Sequence, residues 1–326
     1  MNYRVLARLA AVLAGTVVSM AAVAQAYPDR PVRIVVAAAA GSSPDTIARR
    51  VTAKLSPIWG QPVLVENVAG VGGVIGTERV ARAAPDGYTL VLSTIGAVAI
   101  GPSIMDKMPY DPVKDLEPVS LLMSMPNLLV VHPSVPVKTA GELVAYVKAN
   151  PDKLQYAHPG IGTTPHLSAE LLKRDAGIAM HGIPYTSSAQ MTTDLLGGHY
   201  QVLFHNSSVV LPHVKSGALR VLGMTGDKRS PAMPDIPTVA EAANFPGFAV
   251  SAWWGLYAPA GTPVAIVSKI SADVAAALAQ PDVTEWVEGQ AGTVGGGTPA
   301  DLRAHQAAET RKWEDLVKSA NLKPTN

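Results

Sequence analysis

The sequence has no cysteine. Disulfides, thiolate nucleophiles and cysteine-ligated metals are excluded together, and so is a lipidated cysteine that would tether the chain to a membrane. Charged residues are scarce, at 16%. No basic tract occurs, so the electrostatic footprint of a nucleic-acid binder is missing. Catalytic signatures are missing as well. There is no Gly-x-Ser-x-Gly elbow and no P-loop, and Ala69–Gly76 does not keep the glycine spacing of a dinucleotide site. No nucleophile–base pair stands out. The reading is a binding protein rather than an enzyme.

Long apolar runs are also few. One stretches from Leu9 to Val23, behind Arg4 and Arg8 and ahead of Ala24-Gln25-Ala26. A positive start, a short apolar segment and a small-x-small triplet form a secretory signal peptide. The run is short and rich in small residues for a membrane span. The expectation is cleavage after Ala26, leaving a soluble mature chain in the bacterial periplasm. The whole chain carries 26 Lys and Arg against 25 Asp and Glu, so without Arg4 and Arg8 the formal charge is −1. About 300 mature residues suit two lobes better than one core.

What is present alternates. β-type runs at Val32–Ala37, Val63–Glu66, Thr89–Ser93, Leu128–His132, Leu154–His158, Val202–His205, Leu219–Met224 and Val250–Ala258 are separated by helical periodicities. The early runs are continuously apolar, as strands buried on both faces require. Such alternation predicts an α/β fold with largely parallel sheets. Helix signals include the capping box Thr139–Glu142 and the Thr-Pro starts at 262–263 and 298–299. After Pro44, Ile47, Val51, Leu55 and Ile58 recur at helical spacing. Chain crossings between lobes are expected near Met123–Asn127 and Phe248–Trp254. That predicts one lobe from residues 27–124 and 251–326 and a second from 125–250.

Two loops carry the strongest chemical signal. In the first, a buried strand runs into Ala39, Ala40, Gly41, Ser42 and Ser43, and a helix opens at Ser43 or Pro44, with Asp45 in its first turn. First-turn N–H groups have no intrahelical partner and carry the positive end of the helix dipole. Small residues let an anion approach them without any basic side chain. The second loop, Gly160-Ile161-Gly162-Thr163-Thr164-Pro165-His166, has the same character. Locally, either loop also reads as an ordinary capped helix start. Six histidines, at 158, 166, 181, 199, 205 and 213, fall in one stretch. Their spacing fits no metal motif, so neither a metal nor a cofactor is expected. His158 and His205, at strand ends, are candidates to donate to a ligand oxygen. Trp253 and Trp254 are read as core or hinge packing, with the cleft wall as the alternative. Ala69–Gly76 is read as a loop that approaches another backbone, and Gly295–Gly297 as a flexible link.

Together these residues resemble a known family. The ordered motifs are Tyr27-Pro-x-Arg-Pro-Val-x-Ile-Val-Val, Glu66–Gly76, Pro85–Leu90, Pro109–Asp115, Gly162–Leu167, Ile183-Pro-Tyr185, Asp194–Gly198, Pro234–Glu241 and Tyr257–Pro263. They are similar to the substrate-binding proteins of tripartite tricarboxylate transporters, the Bug family. The resemblance implies a type II two-lobe periplasmic binding protein fold with the ligand cleft between the lobes. It implies capture of a small organic acid and delivery to the membrane subunits of the transporter. A monomer is expected, with no nucleic-acid partner. The alternative is a sensor that presents its closed form to a membrane receptor. It also implies that the loops Ala39–Asp45 and Gly160–His166 grip a carboxylate, partly through water. Thr94, Tyr185 and Asn206 join the expected ligand set. The sequence departs from the family pattern at Ala37–Ser43, which lacks the usual proline and paired glycines. It departs again at His205, where an aspartate is usual, and at His158, which replaces a small polar residue.

Overall fold

A computed structural model describes residues 27–319; the expected signal peptide lies outside them. The strands are β1 (Val32–Val36), β2 (Val63–Asn67), β3 (Thr89–Thr94), β4 (Leu116–Val131), β5 (Gln155–His158), β6 (His181–Pro184), β7 (Val202–Asn206), β8 (Arg220–Met224), β9 (Ser251–Pro259) and β10 (Thr293–Gly296). The helices are α1 (Ser43–Trp59), α2 (Val74–Ala81), α3 (Gly101–Ile104), α4 (Ala140–Ala149), α5 (Thr164–Ala176), α6 (Ser188–Leu196), α7 (Ser207–Lys215), α8 (Val239–Ala243), α9 (Val264–Leu278), α10 (Pro281–Gly289) and α11 (Pro299–Ser319).

The fold is the expected α/β two-lobe type, with one difference in the sheets. β1 pairs in parallel with β2 and β3, and β5 with β6 and β7. β4 and β9 run antiparallel to every neighbour. The sheets are therefore mixed, because β4 and β9 run against the βα units. β4 is long enough, at 16 residues, to serve both sheets. Its first half lies between β9 and β10 and its second between β7 and β8. Partners change where Pro126 faces Ser251 and Asn127 faces Asn206. A proline has no N–H for the ladder, so it is tolerated where the ladder is handed over.

Thr225 fastens this crossing. Its N–H donates to Asn127 O at 2.9 Å and its Oγ1 accepts from Asn127 N at 2.9 Å. Its carbonyl accepts from Val250 N at 2.8 Å, and its hydroxyl donates to Val250 O. A single fully buried threonine thus ties both crossing segments.

The central strands, such as β3, β7 and β9, are buried on both faces, which accounts for their apolar runs. Ile47, Val51 and Leu55 of α1 pack with Ile34, Val36, Leu90 and Leu92. Each fully buried side chain of this kind stabilises by about 1.5–3 kcal/mol. Ile58, expected in the same stripe, is 48% exposed beyond the end of the sheet. Gly295 is not in a flexible link. It sits in β10, and a Cβ there would meet Leu121 O of β4 at 2.2 Å. Among the described residues no single helix is long and apolar enough to cross a membrane.

Candidate functional site

The two small-residue loops fold to the same local geometry. Gly41 and Gly162 take φ of 75° and 76°, a region open to glycine at little cost. The next residues, Ser42 and Thr163, are extended N-caps with φ of −78° in both. The hydroxyl of Ser42 turns back to Ala39 O at 2.6 Å, and that of Thr163 to Gly160 O at 2.6 Å. Neither therefore caps its helix, so the first-turn N–H groups of α1 and α5 stay open to another acceptor. Pro44 and Pro165 occupy the second helical position in both. The shared pattern Gly-[Ser/Thr]-[Ser/Thr]-Pro is a short local repeat.

Past the proline the loops diverge. Asp45 accepts from Gly41 N at 2.9 Å and from Arg49 Nε at 3.0 Å. Burial alone would raise this carboxyl. The Arg49 guanidinium, the Gly41 N–H and the Asn67 amide together hold it below the usual carboxylate range. His166 stands at the matching position in α5, and its Nδ1 is buried without a partner.

Both helix starts border one cavity of about 410 Å3. Of the residues expected at a ligand, Ala39, Ser42, Thr94, Gly160, Thr163, Thr164, Tyr185, His205 and Asn206 line it. Ala40, Gly41, Ser43, Asp45, His158, Ile161 and His166 do not. Ala40, Gly41 and Ile161 are on the exposed side of their loops. The Ser43 hydroxyl is bonded to Ser208 Oγ. Asp45 braces its loop from behind. His158 Nδ1 accepts from Gly160 N at 3.3 Å, and its ring lies 4.7 Å from that of His166. Burial lowers both histidines, His166 to about 4. They form a neutral aromatic backing to the second loop, next to Glu170, which accepts from Tyr156 and Lys173.

Several walls were not expected. Gly70, Val71, Gly72 and Gly73 line one side, all with positive φ, and Val71 at 46° is an uncommon conformation for a β-branched residue. The reading that this stretch approaches another backbone holds. A Cβ on Gly73 would meet Thr94 Oγ1 at 2.7 Å and Ala37 O at 2.9 Å. Thr94 donates to Gly72 O at 2.6 Å, holding the loop at the cavity edge. Ala252 also lines the cavity, and so does Trp254, which takes the cleft-wall alternative, whereas Trp253 packs in the core against α11, where its Nε1 reaches Glu309. Alternation along β9 separates the two tryptophans. Pro184, Thr186 and Ser188 complete the far side.

The lining holds no Asp, Glu, Lys or Arg. Its polar groups are helix-start N–H groups, hydroxyls, Asn206 and His205. Nδ1 of His205 accepts from Asn206 N at 2.8 Å, and Nε2 is buried with no partner. Burial pushes this imidazole down to about 4. Among the described residues, no three of His, Asp and Glu gather as a metal site would require. The cavity can bind an anion through oriented dipoles while its apolar walls exclude water.

Comparison with known proteins gives a consistent picture. The family model for the tripartite tricarboxylate transporter family receptor matches residues 47–322. The chain is 37% identical over 301 residues to Protein BugT of Bordetella pertussis, covering 92% of each chain. Among solved structures it is similar to R. palustris Rpa4515 with adipate, at 35% identity and a TM-score of 0.88, over 92% of this chain and 100% of that one. It is also similar to MatC from Rhodopseudomonas palustris with bound malate, at 35% identity and a TM-score of 0.83, over 89% and 100%.

Proposed function

This chain belongs to the tripartite tricarboxylate transporter receptor family, and from that premise we propose that it captures a small organic carboxylate and hands it to the membrane subunits of such a transporter. The observation that carries the reading is the pair of matched, uncapped helix starts at Ser42–Asp45 and Thr163–His166, facing one uncharged cavity. Each helix start favours an anion by about 0.3–1 kcal/mol, and by up to ~2 kcal/mol where partly buried. The likeness to proteins that hold adipate and malate supports the ligand class.

The head carboxylate is held by the first-turn N–H groups of both helices and by the Thr164 hydroxyl. Ser42 and Thr163 shape the loops, since their hydroxyl protons are committed to loop carbonyls. Asp45 and His158 position those loops from behind. Thr94, Tyr185, His205 and Asn206 bound the rest of the ligand. The role is binding without turnover.

The lobes divide at 124/125 and 250/251 and close by a hinge at the crossings that Thr225 fastens. The protein works as a monomer in the periplasm, exported by the segment that ends at Ala26.

Calorimetry and thermal shift against mono-, di- and tricarboxylates test this, together with native mass spectrometry of ligand carried through purification. Micromolar or tighter binding of at least one acid is expected. Tight binding of a neutral compound with no response to any acid would sink the carboxylate reading.

A further inference from the structure

We propose that the His205–Asn206 wall reads a neutral group on the ligand's tail that both accepts and donates a hydrogen bond, namely a hydroxyl or a primary carboxamide. The proposal rests on the carboxylate reading above, which assigns the acid's head to the two helix starts.

The polarity of the wall follows from one anchor. Ser168 Oγ lies 2.7 Å from Thr164 O. A carbonyl only accepts, so the Ser168 hydroxyl donates there. Its lone pairs then take the Nδ2 of Asn127, at 3.2 Å. With Nδ2 so placed, Asn127 Oδ1 accepts from Asn206 Nδ2, at 2.9 Å. Asn206 therefore keeps its Oδ1 free. No protein donor among the described residues reaches that oxygen, and Asn206 lines the cavity.

His205 is fixed in the opposite sense. The Asn206 backbone N–H can only donate, so Nδ1 is the bare nitrogen and Nε2 carries the proton. That Nε2 is buried without an acceptor, on a ring that borders the cavity and is 2% exposed. A donor and an acceptor thus stand on consecutive residues at the end of β7.

Other tail chemistries fit worse. An ammonium can use the one acceptor, gains nothing from the His205 N–H, which only donates, and has no Asp or Glu in the lining to balance it. A second carboxylate finds one donor, faces Asn206 Oδ1, and has no Lys or Arg. Each leaves a buried polar group unmatched, which costs more than a missing hydrogen bond in water.

The test is a matched series that differs only at the chain end: adipate, its monoamide, ω-hydroxyhexanoate and ω-aminohexanoate. The four-carbon counterparts run in parallel by calorimetry at about pH 7.5. The hydroxyl and carboxamide acids are expected to bind at least about tenfold tighter than the ammonium acid and the diacid of the same length. Equal or tighter binding of the ammonium acid or the diacid overturns the proposal. Failure of all eight compounds to bind overturns the proposal, and the wider acid panel then decides the carboxylate reading. His205→Asp, checked for folding by thermal melt, is expected to shift preference toward ω-aminohexanoate, and His205→Gln, which keeps a neutral donor, to retain the native ranking. An unchanged ranking in a folded His205→Asp protein overturns the assignment, and if that variant does not fold the wild-type ranking decides.

Discussion

Ser43 Oγ of α1 and Ser208 Oγ of α7 lie 2.6 Å apart, a hydroxyl pair that joins the start of one helix to the start of another. Ser43 is 2% exposed. The neighbouring Ser207 donates to the Gln290 carbonyl that ends α10. The start of α7 is therefore fastened at two points, to the start of α1 and to the end of α10. This changes the role read for Ser43: its hydroxyl is committed to Ser208, and only its N–H remains for a ligand.

That bond makes a coupled pair. Ser43→Ala and Ser208→Ala are each expected to weaken binding of the best acid by about threefold to tenfold, near the ~1 kcal/mol of one net hydrogen bond. The double variant should lose about as much as the worse single variant, because both changes remove one interaction. Calorimetry on the four proteins checks this, and fully additive losses would show that the serines act separately.

Asp45 supports the first loop without lining the cavity. Asp45→Asn keeps the size but places an amide against the Gly41 N–H and the Arg49 guanidinium. Affinity should fall by about tenfold, and the melting temperature by about 1–3 °C, since an ion pair with a half-exposed arginine contributes only ~1 kcal/mol. The folded carboxyl titrates below its unfolded value. Its contribution is thus present above the usual carboxylate pKa and lost as pH falls through the lower folded value. In Asp45→Asn that acid-side loss disappears. A variant with native affinity would remove Asp45 from the support of the site.

Much of this is legible in the residues, for stated reasons. Val32–Val36 reads as a strand because both its faces are buried. The helix starts are legible because a Gly, a Ser or Thr pair and a Pro occur in the order that opens a helix. The first half of β4 escapes because Pro118 and Pro126 interrupt it, although its partners change at the second. β10 escapes because Gly295 is small for close approach to Leu121, and in sequence that looks the same as flexibility. Gly70–Gly73 and Trp254 reach the cavity only through the tertiary packing of Thr94 and β9, which no local pattern encodes. The bond between Ser43 and Ser208 joins residues 165 apart in the chain.

His158 and His205, which are buried, and the half-buried His166 should make the fold sensitive to acid. Burial lowers His158, His166 and His205, the last two to about 4, and His158 adds to the shift of His166. Between about pH 6.5 and 4 the unfolded chain binds more protons than the folded one. Stability is therefore full above about pH 6.5 and declines as pH falls toward 4, by up to ~1.4 kcal/mol per pH unit for each such histidine. Melts at about pH 7.5, 6 and 5 should show a falling transition. His166→Gln should flatten that slope, since it removes one titrating ring whose Nδ1 has no partner. A pH-independent transition would mean these rings reach water in the folded state.

Closure should be limited by contact at Gly96. A Cβ there would stand 2.9 Å from Gly72 O and 3.1 Å from Gly162 O. The first belongs to the glycine loop beside Thr94 and the second to the loop that opens α5. Gly72 itself would place a Cβ 3.1 Å from Ile161 O. The two loops thus meet at backbone distance over the cavity mouth. Gly96→Ala inserts a methyl group into that seam with no penalty from a positive φ. Its cost should fall on the fold through Gly72 O and on closure through Gly162 O: affinity reduced by about tenfold and dissociation faster, with the ligand-free melt lowered as well. Gly41→Ala offers the contrast. Its Cβ would meet nothing within 4 Å, but its φ of 75° is unfavourable for alanine. It should destabilise the first loop even without ligand. Stopped-flow release and solution scattering separate the two cases. With ligand bound, Gly96→Ala should remain closer to the open envelope than the native protein. If it compacts fully and binds with native affinity, the mouth does not close at this contact.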